Sequence, residues 1–295
     1  MQAIIEAFFD EATFTYSYVV SDPHSNRCAI IDPVLDYDPA AGKTSHDSAN
    51  RIIGYVKSCG LGVDWILETH VHADHLSAAR YLQEHLGGST GIGAGVTAVQ
   101  DVFGDFFNAE PDFARDGSQF DHLFEDDEPF RIGDLEGRVW HTPGHTPACV
   151  SYLLERAAFV GDTVFQPDYG TARTDFPGGD ARTLFASIGR ILSLPGATEL
   201  YMCHDYGTET REDFCYLTTV AEERSRNVHL AAREGARSGP QTDEDTFVAL
   251  REKRDSQLAA PRLLLPSVQF NMRGARLPPP EDNGVCYLKI PVRAA

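Results

Sequence analysis

The sequence Glu68-Thr69-His70-Val71-His72-Ala73-Asp74-His75 decides how this 295-residue chain is interpreted. It places three histidines and one aspartate, all capable of binding a metal, within six consecutive residues. A short apolar run typical of a buried strand precedes it, and a helical pattern follows it from His75. Because α/β enzymes place their sites where strands end, we interpret the stretch as a metal-binding loop. The alternative is a polar surface loop in which Asp74 only caps the next helix.

Three more metal-capable residues lie at predicted strand ends farther along the chain. His145 occupies a tight Pro-Gly turn after a strand, and His204 ends another strand. Asp162 follows an apolar strand, in a turn that Gly161 permits. Each of these features is common by itself, but all of them in this order favour one shared metal site.

The rest of the pattern alternates strands with helices. Strands are predicted at residues 13–20, 27–32, 65–68, 138–140, 150–154, 157–160 and 199–202, and helices at residues 49–59, 75–86 and 183–194. Alternation within one long unit favours an α/β sandwich.

The character of the chain changes after about residue 212. Residues 212–237 and 246–258 carry helical patterns, and residues 260–280 are rich in proline and are expected to wrap the surface. We therefore expect a catalytic domain over residues 1–240 and a helical, proline-rich extension over residues 241–295 that packs on it.

The charge balance excludes some partners. The formal net charge is -19, so the surface repels phosphate backbones and nucleic acid is not an expected partner. An anionic substrate would need a local cation or the metal. The N-terminal residues do not form a secretory signal, and no stretch reaches the roughly 18 apolar residues of a membrane helix, so we expect a cytoplasmic protein without a membrane partner.

Six cysteines are scattered along the chain without a C-x-x-C pair. Buried thiols that act as small apolar side chains are a simpler explanation than a disulfide framework or a cysteine metal site.

The order of metal-capable residues resembles the metallo-β-lactamase superfamily. The motif H-x-H-x-D-H, then His145, Asp162 and His204, fills all seven of that pattern's positions, and the resemblance spans roughly residues 13–205. It implies an αββα sandwich with the metal at one edge of the two sheets.

Four local sequences resemble one branch, the persulfide dioxygenases, also called sulfur dioxygenases. They are the stretches at residues 69–78, 170–176, 204–206 and 271–273, which read THVHADHLSA, GTARTDF, HDY and NMR. The resemblance implies one Fe(II) per chain, held by His70, His145 and Asp162. Two histidines and a carboxylate leave about three positions of an octahedral iron open. The other four side chains would then form a second polar pocket around the ligands: His72, Asp74, His75 and His204.

The same resemblance implies a glutathione site and a reaction. Arg173 would pair with a carboxylate of the tripeptide, and Thr146 and Tyr206 would donate hydrogen bonds. A structural ion pair between Arg173 and Asp175 is the alternative. The implied reaction is the oxidation of glutathione persulfide by O2 to sulfite and glutathione, in a homo-oligomer that we expect to be a dimer.

Two other functions remain open at this point. The same seven residues could hold two zinc ions in a hydrolase of thioesters or lactones that resembles glyoxalase II, and spacing does not distinguish the two. A non-catalytic metal-binding protein is the third hypothesis. It is the least favoured, because structural zinc sites are usually closed by four ligands, often cysteines.

Overall fold

The computed structural model describes residues 2–231 and 242–292. In chain order the described residues form fifteen strands: β1 (Ile4–Asp10), β2 (Thr15–Ser21), β3 (Arg27–Ile31), β4 (Val34–Asp38), β5 (Lys43–Ser45), β6 (Gly62–Leu67), β7 (Leu76–Ser77), β8 (Ser89–Gly93), β9 (His122–Phe124), β10 (Glu128–Ile132), β11 (Leu135–His141), β12 (Val150–Leu154), β13 (Ala157–Phe159), β14 (Glu199–Tyr201) and β15 (Leu217–Thr219). They also form seven helices: α1 (Asp47–Ser58), α2 (Ala79–Leu86), α3 (Val96–Phe106), α4 (Ala181–Leu192), α5 (Val220–Arg226), α6 (Glu244–Asp255) and α7 (Leu264–Asn271).

The strands form two six-stranded sheets that pack face to face. The first sheet has the order β1-β2-β3-β6-β8-β9, and the second has the order β10-β11-β12-β13-β14-β15. Strands β4, β5 and β7 form a small third sheet. Apolar residues from both large sheets, among them Tyr18 and Leu67 of the first and Tyr152 and Phe159 of the second, make one buried core between them.

Helices cover the outer faces of the sandwich. The apolar faces of α1 and α2 pack on the first sheet, where Ile52, Val56 and Leu82 join its outward side chains. Helix α4 packs on the second sheet through Leu184 and Ile188. The side chain of Asp180 caps the start of α4 by accepting the Thr183 N–H at 2.7 Å. The predicted αββα sandwich is therefore confirmed.

The helix after the histidine motif begins later than its pattern predicts. We expected it at His75 with Asp74 as its cap, but α2 begins at Ala79, after the two-residue strand β7. The reason is tertiary: the carbonyl of His75 accepts a hydrogen bond from Asn271, and the N–H of Ser77 donates one to the same side chain. Asp74 is therefore free to face the metal-capable histidines.

Two predictions for the C-terminal third need correction. Residues 217–219 pair with β14 as the edge strand β15, so the expected helix over residues 212–237 is reduced to α5. The proline-rich stretch at 260–280 contains the largely buried helix α7, because its apolar side chains pack inward. The expected domain boundary at residue 240 and the last part of the predicted helix lie outside the described residues.

The cysteines were expected to be buried thiols, and no helix was expected to cross a membrane. All six cysteines are free, and Cys28, Cys149 and Cys203 are buried as predicted, whereas Cys59 is exposed. Among the described helices, none combines the length and the apolar character that crossing a membrane requires.

Candidate metal centre

The metal-capable residues meet at one edge of the sandwich because each follows the end of a strand. His70 follows β6 in the first sheet, and His145, Asp162 and His204 follow β11, β13 and β14 in the second. All seven side chains that the motif predicts lie in this cluster, and six of them are buried, whereas Asp74 is half-buried.

His70, His145 and Asp162 form one compact set. The Nε2 atoms of His145 and His70 lie 3.5 Å and 3.8 Å from Asp162 Oδ2. Ligands with metal bonds of about 2.0–2.2 Å are roughly 3 Å apart, so an ion fits among these atoms with little adjustment. Within the described part of the chain, the buried atoms His70 Nε2 and Asp162 Oδ1 have no hydrogen-bond partner, as expected for atoms that face a metal.

A second set of potential ligands lies beside the first. His204 Nε2 is 3.4 Å from both Asp74 Oδ2 and Asp162 Oδ1, and His75 Nδ1 is 3.1 Å from Asp74 Oδ2. Thr15, at the start of β2, places its hydroxyl 3.2 Å from His204 Nδ1 and 3.3 Å from Asp74 Oδ2. Asp162 thus offers one carboxylate oxygen to each set.

Hydrogen bonds fix which ring nitrogen faces the centre in the first set. His145 Nδ1 lies 2.8 Å from the Arg173 carbonyl, which can only accept, so Nδ1 carries the proton and Nε2 is a free donor to a metal. The Thr69 hydroxyl donates to Asp32 at 2.9 Å and lies 3.0 Å from His70 Nδ1. It therefore accepts from His70, whose Nε2 is free in the same way.

His72 has different surroundings from His70. Its Nε2 atom lies 3.0 Å from Asp32 Oδ1 and 3.2 Å from Glu68 Oε2, and all three side chains are buried. Burial alone would lower the pKa of His72, but the two carboxylates outweigh it and raise the pKa well above its usual value. By contrast, burial and the neighbouring histidines His72 and His145 lower the pKa of His70 well below its usual value.

The metal-capable residues open onto a cavity of about 220 Å³. Asp74, His145 and Asp162 belong to its lining. The rest is lined largely by aromatic rings and arginines, namely Phe165, Tyr169, Phe176, Tyr206, Arg173, Arg251 and Arg254. The cavity therefore joins an apolar passage to the face of the first ligand set.

The three predicted glutathione residues are not placed alike. Tyr206 lines the cavity, and its ring stacks on His204 with centroids 5.4 Å apart. Arg173 also lines the cavity, but it binds Asp175 at 2.6 and 2.8 Å and the Ala259 carbonyl at 2.8 Å. The Thr146 hydroxyl lies 3.1 Å from Cys149 Sγ. Their roles toward glutathione stay predictions, and the alternative ion pair of Arg173 is present.

Sequence reasoning missed several residues that support the centre. Asp32 accepts hydrogen bonds from the Thr69 N–H, the Thr69 hydroxyl and His72, although the sequence indicated it only as the last residue of a predicted strand. Its φ of 50°, unusual for a residue other than glycine, belongs to the turn that aims its carboxylate. Arg254, which lines the cavity from α6, gave no signal in the sequence beyond its charge.

An αββα sandwich with a buried histidine–aspartate cluster at the edge of both sheets defines a metal-dependent enzyme. The chain belongs to the metallo-β-lactamase superfamily, whose family model matches residues 10–204. The resemblance stated from the motifs is thereby confirmed.

Its relatives carry different names. A protein of Burkholderia pseudomallei called "probable metallo-hydrolase" is 56% identical over 98% of this chain and 99% of its own length. Glyoxylase B2 of Dictyostelium discoideum is 47% identical over 99% and 97%. The mitochondrial persulfide dioxygenase ETHE1 of Bos taurus is 29% identical over 94% and 91%.

One solved structure covers nearly the whole fold. The crystal structure of ETHE1 from Myxococcus xanthus matches with a TM-score of 0.72 and 26% identity, over 92% of this chain and 100% of that one. The likeness therefore extends beyond residue 204 into the C-terminal segment.

Proposed function

We propose that this protein catalyses the iron-dependent oxidation of glutathione persulfide by O2. One persulfide, one O2 and one water would give one glutathione, one sulfite and two protons. The observation that carries the proposal is the compact buried set His70, His145 and Asp162, of which His145 and Asp162 line an open cavity. The resemblance to persulfide dioxygenases over most of the chain supports it.

A single ion fits the hydrogen bonding of the cluster. Two histidines and one carboxylate form the facial set typical of non-haem iron oxygenases. His70, His145 and Asp162 supply three ligands without His72, which binds Asp32 and Glu68 through Nε2 and keeps a buried Nδ1 without a partner among the described residues. Iron(II) held there would supply a centre that the terminal sulfur and O2 can reach together.

The protein's own contribution is to orient the ion and to exclude water. The Arg173 carbonyl and the Thr69 hydroxyl hold the two imidazoles in one tautomer. Phe165, Phe176 and Tyr206 give the cavity apolar walls that suit a thiol with a long organic substituent.

The anionic end of the substrate needs a cation in a protein of net charge -19. Arg173 is a candidate, but its guanidinium already neutralises Asp175. Arg254 faces the same cavity, is exposed, and lies over the Tyr169 ring at 5.7 Å. We propose that Arg254 receives a substrate carboxylate and that Arg173 with Asp175 shapes the wall beside it.

A two-zinc hydrolase of thioesters or lactones is the second candidate function. Asp74, His75 and His204 lie beside Asp162 in an arrangement that a second ion could use. Two relatives of this chain, named a glyoxylase and a metallo-hydrolase, favour this candidate.

One paired assay separates the two functions. Protein loaded with iron and protein loaded with zinc would each be tested for O2 uptake with glutathione persulfide and for hydrolysis of lactoylglutathione. We expect one iron per chain and O2 uptake that yields sulfite in equal amount. Two zincs per chain, with thioester hydrolysis and no O2 uptake by the iron form, would refute the proposal.

A further inference from the structure

The C-terminal helix α7 ends in a buried side chain that contacts the histidine loop directly. Asn271 is 5% exposed and lies 67 residues beyond the last residue, 204, that the family model matches. Its Oδ1 atom accepts the Ser77 N–H at 2.9 Å, and its Nδ2 group donates to the carbonyls of His72 and His75 at 2.9 and 2.8 Å. One carboxamide thus uses its acceptor and both N–H bonds on a single turn of the backbone.

These three bonds hold a backbone turn that carries two metal-capable side chains. The turn between His72 and Ser77 carries Asp74 and His75, whose side chains face Asp162 and His204. Each bond fixes a peptide group within or next to a metal-capable residue, so a rotation of this turn would move those side chains. The same bonds stop the helix from starting at His75.

Contacts of the neighbouring residues hold the end of α7 that carries Asn271. The Met272 carbonyl accepts from Gln100 Nε2 at 2.9 Å, and Arg273 forms a two-pronged ion pair with Glu110. Val268 and Met272 also share a buried apolar cluster with Val71 and Ala73 of the histidine loop. The amide is therefore presented on a rigid support.

We propose that Asn271 is a positioning residue for the metal centre, which sets the geometry of the His72–His75 turn without touching the ion. The C-terminal segment would then be part of the metal site in function. The inference depends on the centre and not on the reaction: in a two-zinc site the turn would carry ligands, and in a one-iron site it would carry the polar side chains Asp74 and His75 beside the ligand set.

The test compares Asn271→Ala with Gln269→Ala in the full-length protein. Gln269 is a matched control, since it is 2% exposed on the same helix but its side chain bonds the backbone of Leu265 and Lys289 instead of the loop. Each variant would be loaded with Co(II), whose visible spectrum reports ligand geometry, and then challenged with a chelator.

We expect Asn271→Ala to shift the Co(II) bands and to release the ion at least about tenfold faster than Gln269→Ala and the parent protein, as for other residues that orient ligands. Asn271→Asp, which has the same shape but lacks both donated bonds, should behave in the same way and guards against misfolding of the alanine variant. A parental spectrum and release rate in both Asn271 variants would overturn the proposal. So would equal loss in Gln269→Ala, because it would indicate helix docking alone. Neither readout uses O2 uptake, so a failed dioxygenase assay would leave this result unaffected.

Discussion

His70 and His72 are two residues apart, both are buried, and their ring centroids are 4.1 Å apart, yet their surroundings favour opposite protonation states. His70 faces Asp162 and has a pKa well below its usual value because of burial and the neighbouring histidines. His72 faces Asp32 and Glu68, whose charges overcome burial and raise its pKa.

The difference lies in the hydrogen-bond partner of each histidine and not in the histidine itself. The Thr69 hydroxyl accepts a hydrogen bond from His70 and donates one to Asp32. His70 therefore keeps a neutral ring with one free nitrogen. His72 binds Asp32 directly and gains a counter-charge. Burial by itself therefore lowers the pKa of a histidine, whereas burial beside carboxylates raises it.

Removal of His70, the neutral histidine, should have the largest effect. We expect His70→Ala to lose both its bound metal and its activity, because a two-residue set cannot hold the ion in place. Metal content by elemental analysis and sulfite production measure the two losses. Replacing an exposed histidine, as in His85→Ala, should change neither. Retained turnover in His70→Ala would exclude it as a ligand.

His72→Ala tests whether the second histidine is a support or a ligand. If it only orients its neighbours, metal affinity and activity should fall by about 10–100-fold and metal content at saturation should stay at one ion per chain. The measurement is a metal titration of this variant beside His70→Ala. Equal and complete loss in both variants would instead make His72 a ligand and favour the two-zinc hydrolase.

The sequence was sufficient to predict where the motif residues lie, since each follows the end of a strand. The seven motif residues and the layers of the sandwich could be predicted because side-chain type and strand ends are visible in the chain itself. The contacts of Asp32 and Asn271 with the motif could not be predicted, because they join residues 37 and more than 190 positions apart. The start of α2 was wrong for the same reason: bonds from Asn271 override the local preference for helix at His75.

A smaller effect is expected at the open end of the cavity. Arg254→Ala should raise KM for glutathione persulfide about tenfold with little change in kcat, since one charge-assisted hydrogen bond contributes roughly 1.5 kcal/mol or more. Lys253→Ala is the control, because this exposed cation is adjacent on α6 but does not line the cavity. Arg173→Ala should raise KM as well. Unchanged kinetics for Arg254→Ala alongside a raised KM for Arg173→Ala would assign the substrate carboxylate to Arg173.

Buried carboxyl groups repeat the contrast between the two histidines. Burial raises the pKa of Asp32, but the charge of His72 and the bonds from Thr69 bring it below the usual value. Glu223 in α5 is equally buried, and the charges that act on it, from Glu222 and Asp168, are both negative. Burial therefore raises the pKa of Glu223 to about 8, although Asn227 donates a bond to it at 2.6 Å.

This raised pKa predicts the weakest of the four effects on function, because it changes only how stability depends on pH. Between about pH 4.3, where an unfolded glutamate titrates, and pH 8, the folded chain binds the Glu223 proton more tightly than the unfolded chain does, so its contribution to stability decreases as pH rises. Glu223→Gln should remove this contribution, so its stability relative to the parent protein should rise by about 3 kcal/mol between pH 5.5 and 8, or roughly 8 °C in melting temperature. Glu252→Gln, which replaces an exposed glutamate of α6, is the control and should keep the parental slope. The measurement is the difference in melting temperature between each variant and the parent from pH 5.5 to 8, in which metal binding cancels. A constant difference for Glu223→Gln across that range would mean that Glu223 is ionised in the folded protein, and that burial without a counter-charge does not set protonation here.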